Sequence, residues 1–364
     1  MNAGVPHSVE SSYPMAPGPL FVVSMWRSGS SLLYALLNKH PQVALMYEAD
    51  LLLLKPVFLK PAALCDWAER WQFWNGAFQR HGMKPTDVSD GIADFRSAFT
   101  AAHQLYARRR GATIWGDKSP NYYDRLNEMA DDFPDARFII VWRDPRGTAN
   151  SILRAASLGN SYFSRNGAAF CGLLGYEVLK KECDRLRARG KWVCQLNYED
   201  LVADPSSIMR RVCDFLQVPY DDSLSTLEGA DRSAILEGKH HANLRGDRIV
   251  RGPRPELIGP EFGEKIDRYF GAWRERYGNE WPAYPQVLAT PLLPLTKASR
   301  TGDRIKYRLF RLRDRISPIG FSFAPLALLR RYRARKARTA RAVPVQPKIS
   351  PIAVASQPAE EGRH

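Results

Sequence analysis

Residues 21–33 read FVVSMWRSGSSLL: an apolar run, a short turn of small and hydroxyl-bearing residues, then a resumed apolar pattern. That order predicts a strand, a loop and a helix. A loop entering a helix N-terminus presents unpaired backbone amides and the positive end of the helix dipole, which together suit an anion. Gly29 lets the backbone approach closely, and Ser30 and Ser31 add hydroxyl donors. A nucleotide triphosphatase would carry G-x-x-x-x-G-K-[ST] here. Aligned on Gly29, this chain has Ser24 in place of the first glycine and Ser30 in place of the lysine. The usual contact to the β/γ-phosphates is therefore missing, and no strand ends in an Mg²⁺-binding aspartate pattern. The loop suits an anion that needs no divalent metal.

Outward from this loop, strand candidates recur at 20–25 (LFVVSM), 112–116 (ATIWG), 137–143 (RFIIVWR) and 192–201 (WVCQLNYEDL). Between them SLLYALLNK, YYDRLNEMADDF, GTANSILRAAS and GLLGYEVLKKECDRLRARG space their apolar residues near the helical period. Apolar strands alternating with helices predict an α/β fold, a P-loop-like doubly wound parallel sheet covered on both faces. Residues 50–110, with Trp67, Trp71, Phe73, Trp74 and Phe78, read as a helical insertion whose aromatics either pack or wall an acceptor pocket. Residues 1–18 read as an unfolded tail, the domain is expected over 19–285, and a basic amphipathic extension over 286–341 precedes a second tail at 342–364.

A second anion signal is FIIVWRDPRGTANSIL at 138–153. Arg143 ends an apolar strand, Pro145 and Gly147 turn the chain, and Ser151 follows eight residues after Arg143 in the next helix. Guanidinium plus hydroxyl suits a phosphate monoester, although Arg143 could instead pair with Asp144.

These residues resemble the family of sulfotransferases that use 3′-phosphoadenosine 5′-phosphosulfate (PAPS). There an R-S-G-[TS]-[TS] loop, here Arg27, Ser28, Gly29, Ser30 and Ser31, holds the 5′-phosphosulfate, and an arginine and serine spaced like Arg143 and Ser151 bind the 3′-phosphate. The resemblance covers roughly 19–280 and implies PAPS as co-substrate with no metal. Sulfuryl transfer needs a base for the acceptor hydroxyl, a cation at the leaving oxygen and donors to the equatorial oxygens. Glu48, in HPQVALMYEAD and 21 residues after Arg27, resembles the base of tyrosylprotein and related carbohydrate sulfotransferases. His40 reads as a turn residue before Pro41, and His103, in a helical AAHQLYARRR, is the second choice of base. Lys118, after a strand and before Pro120, resembles the lysine that stabilises the transition state, and with Arg27 is expected to flank the sulfonate. Tyr198, in QLNYEDL, resembles a tyrosine near the 3′-phosphate or adenine. A closing basic segment is sought in NLRGDRIVRGPRP, with Arg245, Arg248 and Arg251 as candidates and Arg248 preferred. Trp26 replaces the proline common before the basic loop residue. A non-catalytic nucleotide-binding module or a kinase with a degenerate loop is the alternative function.

The net charge of +15 suggests a nucleic-acid binder until it is divided along the chain. Residues 297–341 hold 15 Lys/Arg against two acids, while 1–296 hold 36 against 34, so the body is nearly neutral and nucleic acid is not an expected partner. Within the arm, Ile305, Leu309, Leu312 and Ile316 form one helical stripe among arginines, with Pro318 ending the pattern; PLALLRRYRARKARTARA is similar. Basic amphipathic helices fit an anionic membrane surface. A small-molecule, glycan or glycolipid acceptor and a peripheral membrane contact through 297–341 are expected. The five cysteines form no C-x-x-C pair, no signal peptide is recognisable at residues 1–19, and no apolar run approaches a membrane span, so a cytoplasmic chain is expected.

Overall fold

The computed structural model describes residues 16–59, 64–88, 92–158, 166–236, 239–250, 256–277 and 297–341. Strand β1 (Leu20–Ser24) is buried along its whole length and leads through the 25–29 loop into α1 (Ser30–Leu37). Strand β2 (Val43–Tyr47) follows. The insertion then runs through a 3₁₀ segment (Leu51–Leu59), α2 (Leu64–Asn75), α3 (Ala77–Arg80) and α4 (Phe95–Arg109). Next come β3 (Ile114–Lys118), α5 (Leu126–Asp132), β4 (Arg137–Trp142), α6 (Pro145–Ser157) and α7 (Asn166–Ala188). The domain continues with β5 (Trp192–Asn197), α8 (Tyr198–Ala203), α9 (Pro205–Leu216), α10 (Ser233–Leu236), α11 (Pro260–Tyr277) and α12 (Lys297–Phe323).

All strand pairs are parallel, in the order β2-β3-β1-β4-β5. A strand's side chains alternate between faces, and here the alternation divides the core. Phe21, Val23, Met46, Trp115 and Ile140 join α4, α5 and α7 on one face. Leu20, Val22, Leu45, Ile139 and Val141 join α1 and α9 on the other. The sheet is thus a parallel layer between two helical layers, as expected. Gly116 pairs with Leu20 of β1; a Cβ there would lie 1.9 Å from the Leu20 carbonyl oxygen, so only glycine permits this strand approach.

Several boundaries differ from expectation. VALMY is a fifth strand, absent from the four strand candidates, because five residues beside His40-Pro41 carry too short a pattern to separate from a turn. The 192–201 run splits at Asn197, and Tyr198 starts a helix. Lys118 is the last residue of β3 rather than a loop residue after it.

The domain end near 285 is also displaced. The first compact unit extends to Phe323, because α12 packs on it: Tyr307 Oη lies 3.1 Å from Tyr123 Oη, and Arg311 donates to Asp124 at 2.6 Å. Pro318 does not end α12; it sits inside the helix, its carbonyl accepting from Ser322 Oγ at 2.8 Å. The second unit, Ala324–His364, contains α13 (Leu326–Arg341). The expected tails at 1–18 and 342–364 lie outside the described residues except for 16–18.

Candidate active site

In an open parallel sheet, ligands bind beyond the carboxyl ends of the strands, where the strand order reverses. Here the end of every strand delivers a residue to one cavity of about 490 Å³. The loop after β1 brings Arg27, Gly29, Ser30 and Ser31; β2 is followed by Glu48; β3 ends on Lys118; β4 is followed by Arg143, with Ser151 two turns into α6; β5 is followed by Tyr198. Ser28, by contrast, is buried beneath the loop, its Oγ 2.6 Å from Tyr176 Oη.

The loop path is set by close contacts. Gly29 adopts φ +94°, and a Cβ there would lie 2.1 Å from the Tyr198 ring. Ser24 Oγ donates to Ser30 Oγ at 2.9 Å, and Ser31 Oγ meets Tyr47 Oη at 2.9 Å. Trp26, the departure from the family's proline, is buried, donates to Asn121 Oδ1 at 3.1 Å and packs edge-on against Tyr123. Among the described non-glycine residues, Arg27 (φ 65°), Glu48 (47°), Asp50 (55°) and Gln217 (60°) adopt left-handed backbone. Three of these four follow β1 or β2, and Arg27 and Glu48 line the cavity. Such strain persists only where surrounding contacts over-determine it, and it collects at functional sites.

Two cationic clusters line the cavity. In the first, Lys118 Nζ donates to Glu48 Oε1 at 2.7 Å and to Ser31 Oγ at 3.2 Å, and stands 4.2 Å from the Tyr47 ring centroid. Burial opposes the Lys118 charge, but Glu48 and Tyr47 outweigh it and hold the ammonium above its ordinary pKa. In the second, Arg143 donates to the Arg27 carbonyl at 2.8 Å and lies 4.2 Å above the Tyr198 ring. Its Nε is buried without a hydrogen-bond partner among the described residues. Arg27 Nε donates to Ser151 Oγ at 3.3 Å, which joins the two anion motifs. Burial, with Arg143 adding to it, lowers the Arg27 pKa against Tyr47, Glu48 and Tyr198, which raise it. The orphaned Arg143 Nε, the neighbouring Arg27 guanidinium and a helix N-terminus in one cleft fit a ligand with two phosphate-like groups.

The remaining candidates fall elsewhere. His103 is fully buried under the sheet, stacked on Phe99, its Nδ1 2.8 Å from the Phe99 carbonyl and its Nε2 3.8 Å from Asp117. It does not line the cavity. His40 is a turn residue, accepting the Gln42 amide at Nδ1. Arg245 and Arg248 are exposed and outside the lining, which passes instead through Ile249 and Val250; Arg251 lies outside the described residues. Of the insertion aromatics, Trp67, Trp71 and Phe78 are core, while Trp74 walls the cavity with Trp26, Leu53 and Tyr123.

The sequence reading missed His241 and Asp50. His241 lines the cavity, with Nε2 3.3 Å from Tyr47 Oη; its only sequence signal was the histidine pair in GKHHANL. Asp50 sits behind the wall, accepting from Ser119 Oγ at 2.5 Å and from Asn121 Nδ2 at 2.8 Å.

A sequence model of the sulfotransferase family matches residues 19–222, more than half of the chain. Protein-tyrosine sulfotransferase A of Caenorhabditis elegans is 26% identical over 216 residues, covering 56% of this chain and 51% of that protein. Protein-tyrosine sulfotransferase of Drosophila melanogaster is 27% identical over 208 residues, covering 56% and 39%. The chain thus spans about half or less of these relatives' length. Among solved structures, a sulfotransferase domain from the curacin biosynthetic pathway covers 71% of this chain and 98% of its own, at 19% identity and TM-score 0.47. The family model, together with a basic serine-rich loop that enters a helix beside a second arginine–serine pair, establishes that the chain belongs to the sulfotransferase family.

Proposed function

We propose that this protein transfers a sulfuryl group from PAPS to an acceptor hydroxyl, with Glu48 as base. The observation that carries the reading is the convergence of Glu48, Lys118, Arg27, Arg143 and Ser151 on one cavity from four strand ends. PAPS would supply the sulfuryl group and leave as adenosine 3′,5′-bisphosphate. The loop of Arg27, Ser30 and Ser31 would hold its 5′ end, and Arg143, Ser151 and the Tyr198 ring its 3′-phosphate side. Ser28 supports the loop from below through Tyr176.

Glu48 Oε1 would take the acceptor's proton, which requires the entering hydroxyl to compete with Lys118 for that oxygen. Lys118 then has its charge available for a developing anion. Preorganised charge of this kind is commonly the largest catalytic contribution. The acceptor side combines the Trp26 and Trp74 rings with Asn121, Asp124 and Arg125, which supports a carbohydrate or glycolipid hydroxyl. Similarity to protein-tyrosine sulfotransferases favours a peptide tyrosine as the second reading. A cytoplasmic setting belongs to the same proposal, supported by the free thiols of Cys183, Cys194 and Cys213.

The test pairs a binding and a turnover measurement. Adenosine 3′,5′-bisphosphate should raise the melting temperature where ATP with Mg²⁺ does not. Labelled-sulfate transfer should then be screened over glycans, glycolipids and tyrosine peptides. Glu48→Gln should keep the bisphosphate shift and lose turnover by about 10²- to 10⁴-fold. Turnover within threefold of wild type would remove Glu48 from the role, and stabilisation by ATP alone would favour a kinase.

A further inference from the structure

The α12 helix has two unlike faces. One packs on the domain through Tyr307, Phe310, Arg311, Phe321 and Ser322. The opposite face carries Ile305, Leu309, Leu312, Ile316 and Ile319, which are 52%, 61%, 52%, 53% and 44% exposed, with Phe323 continuing the line at 43%. Their spacings of three and four residues keep them within one narrow stripe, about 27 Å long at 1.5 Å per residue. On the same helical wheel, Arg308 borders one side of the stripe together with Arg315, which is half exposed while also reaching Asp124 at 3.1 Å, and Lys306 and Arg313 border the other. All four basic residues are exposed.

A helix that packs by one face usually leaves a polar face to water, and this one leaves an apolar stripe between two basic rows. A second copy meeting stripe to stripe would oppose basic rows of like sign. Duplex nucleic acid would complement the arginines but would not desolvate five aliphatic side chains. An anionic lipid surface satisfies both features: the aliphatic side chains enter the acyl boundary, while the basic side chains extend to the headgroups.

We infer that α12 is an in-plane membrane-docking helix that seats the domain on an anionic bilayer. The inference goes beyond the sulfuryl-transfer reading and does not rest on it. Arg311, Arg315 and Ser317 of the same helix line the cavity, so docking brings one cavity wall to the headgroup region, where a lipid-borne hydroxyl would be met.

The test is flotation of the full chain with vesicles of phosphatidylglycerol and phosphatidylcholine, or of phosphatidylcholine alone, with the Leu309→Glu/Leu312→Glu/Ile316→Glu variant alongside. These side chains are exposed, so the variant should melt with wild type and keep its response to adenosine 3′,5′-bisphosphate. Wild type should float with anionic vesicles only, and the variant's partitioning should fall at least about tenfold. The retained basic residues, including those of α13, make this a test of the apolar stripe rather than of charge alone. Wild type that stays unbound at low salt, or a variant that floats equally well, overturns the inference. So does a wild-type dimer that the variant converts to monomer, or duplex DNA binding that the variant loses in parallel.

Discussion

At Gly29 two requirements coincide: a left-handed backbone, and contact of the loop with the Tyr198 ring. Alanine would meet both obstacles. The left-handed conformation costs an L-residue about 1–2 kcal/mol, and the 2.1 Å approach cannot be relieved without moving the ring off Arg143. Gly29→Ala should therefore weaken binding of adenosine 3′,5′-bisphosphate at least about tenfold, or about 1.4 kcal/mol, by titration calorimetry. An unchanged affinity would show that the ligand does not use this loop path. Tyr198→Ala in the Gly29→Ala background should recover only part of the loss, because the backbone strain remains. The glycine and its hydroxyl neighbours were legible in the sequence. The tyrosine that makes the glycine obligatory stands 169 positions later, beyond any local pattern.

Among elements, α12 illustrates how composition misleads. Its arginines look like one solvated or headgroup-facing set, yet Arg311 turns inward and Arg315, still half exposed at the edge of the apolar stripe, joins it on Asp124, at 2.6 and 3.1 Å. Asp124 is 8% exposed in its side chain, so the pair is partly desolvated on the acid's side. A charged hydrogen bond of this kind contributes about 1.5–3 kcal/mol. Asp124→Ala should accelerate amide exchange across 305–323 by about 10- to 150-fold, while exchange in β1 and β4 stays at wild-type rates. Equal exchange along α12 would mean that its packed face of Tyr307, Phe310 and Phe321 holds it without the ion pairs. The β2 strand is the converse case. Five apolar residues beside a turn are ambiguous alone and become a strand only because β3 offers a parallel edge, which then carries Glu48 to Lys118.

At the scale of the whole molecule, two buried groups oppose one another in the pH dependence of stability. Burial pushes the Asp50 carboxyl up to about 7, with Glu48 and Asp117 adding to it against hydrogen bonds from Ser119 and Asn121. Burial, with Arg80 adding to it, pushes His81 down to about 4. Between about pH 4 and 7 the folded state keeps a proton on Asp50 that the unfolded chain has lost, so this contribution falls as pH rises. His81 does the reverse below its ordinary value, and the two largely cancel in wild type. Asp50→Asn should remove one side. Its unfolding free energy relative to wild type should rise by about 2–4 kcal/mol between pH 4.5 and 7.5, measured by urea titration at both pH values. A difference constant with pH would show that Asp50 does not titrate in that window. What the sequence determined by itself was the α/β class, the anion loop, the arginine–serine pair and Glu48 and Lys118 as candidates, because apolar periodicity and short motifs are local properties of the chain. Only the tertiary structure decided that β2 completes the sheet, that His103 is a core residue, that Asp50 and His241 support the cavity and that α12 belongs to the domain. Each of these depends on which distant side chains fill the space around a residue, and burial and pairing across a sheet are set by the fold rather than by neighbours in sequence.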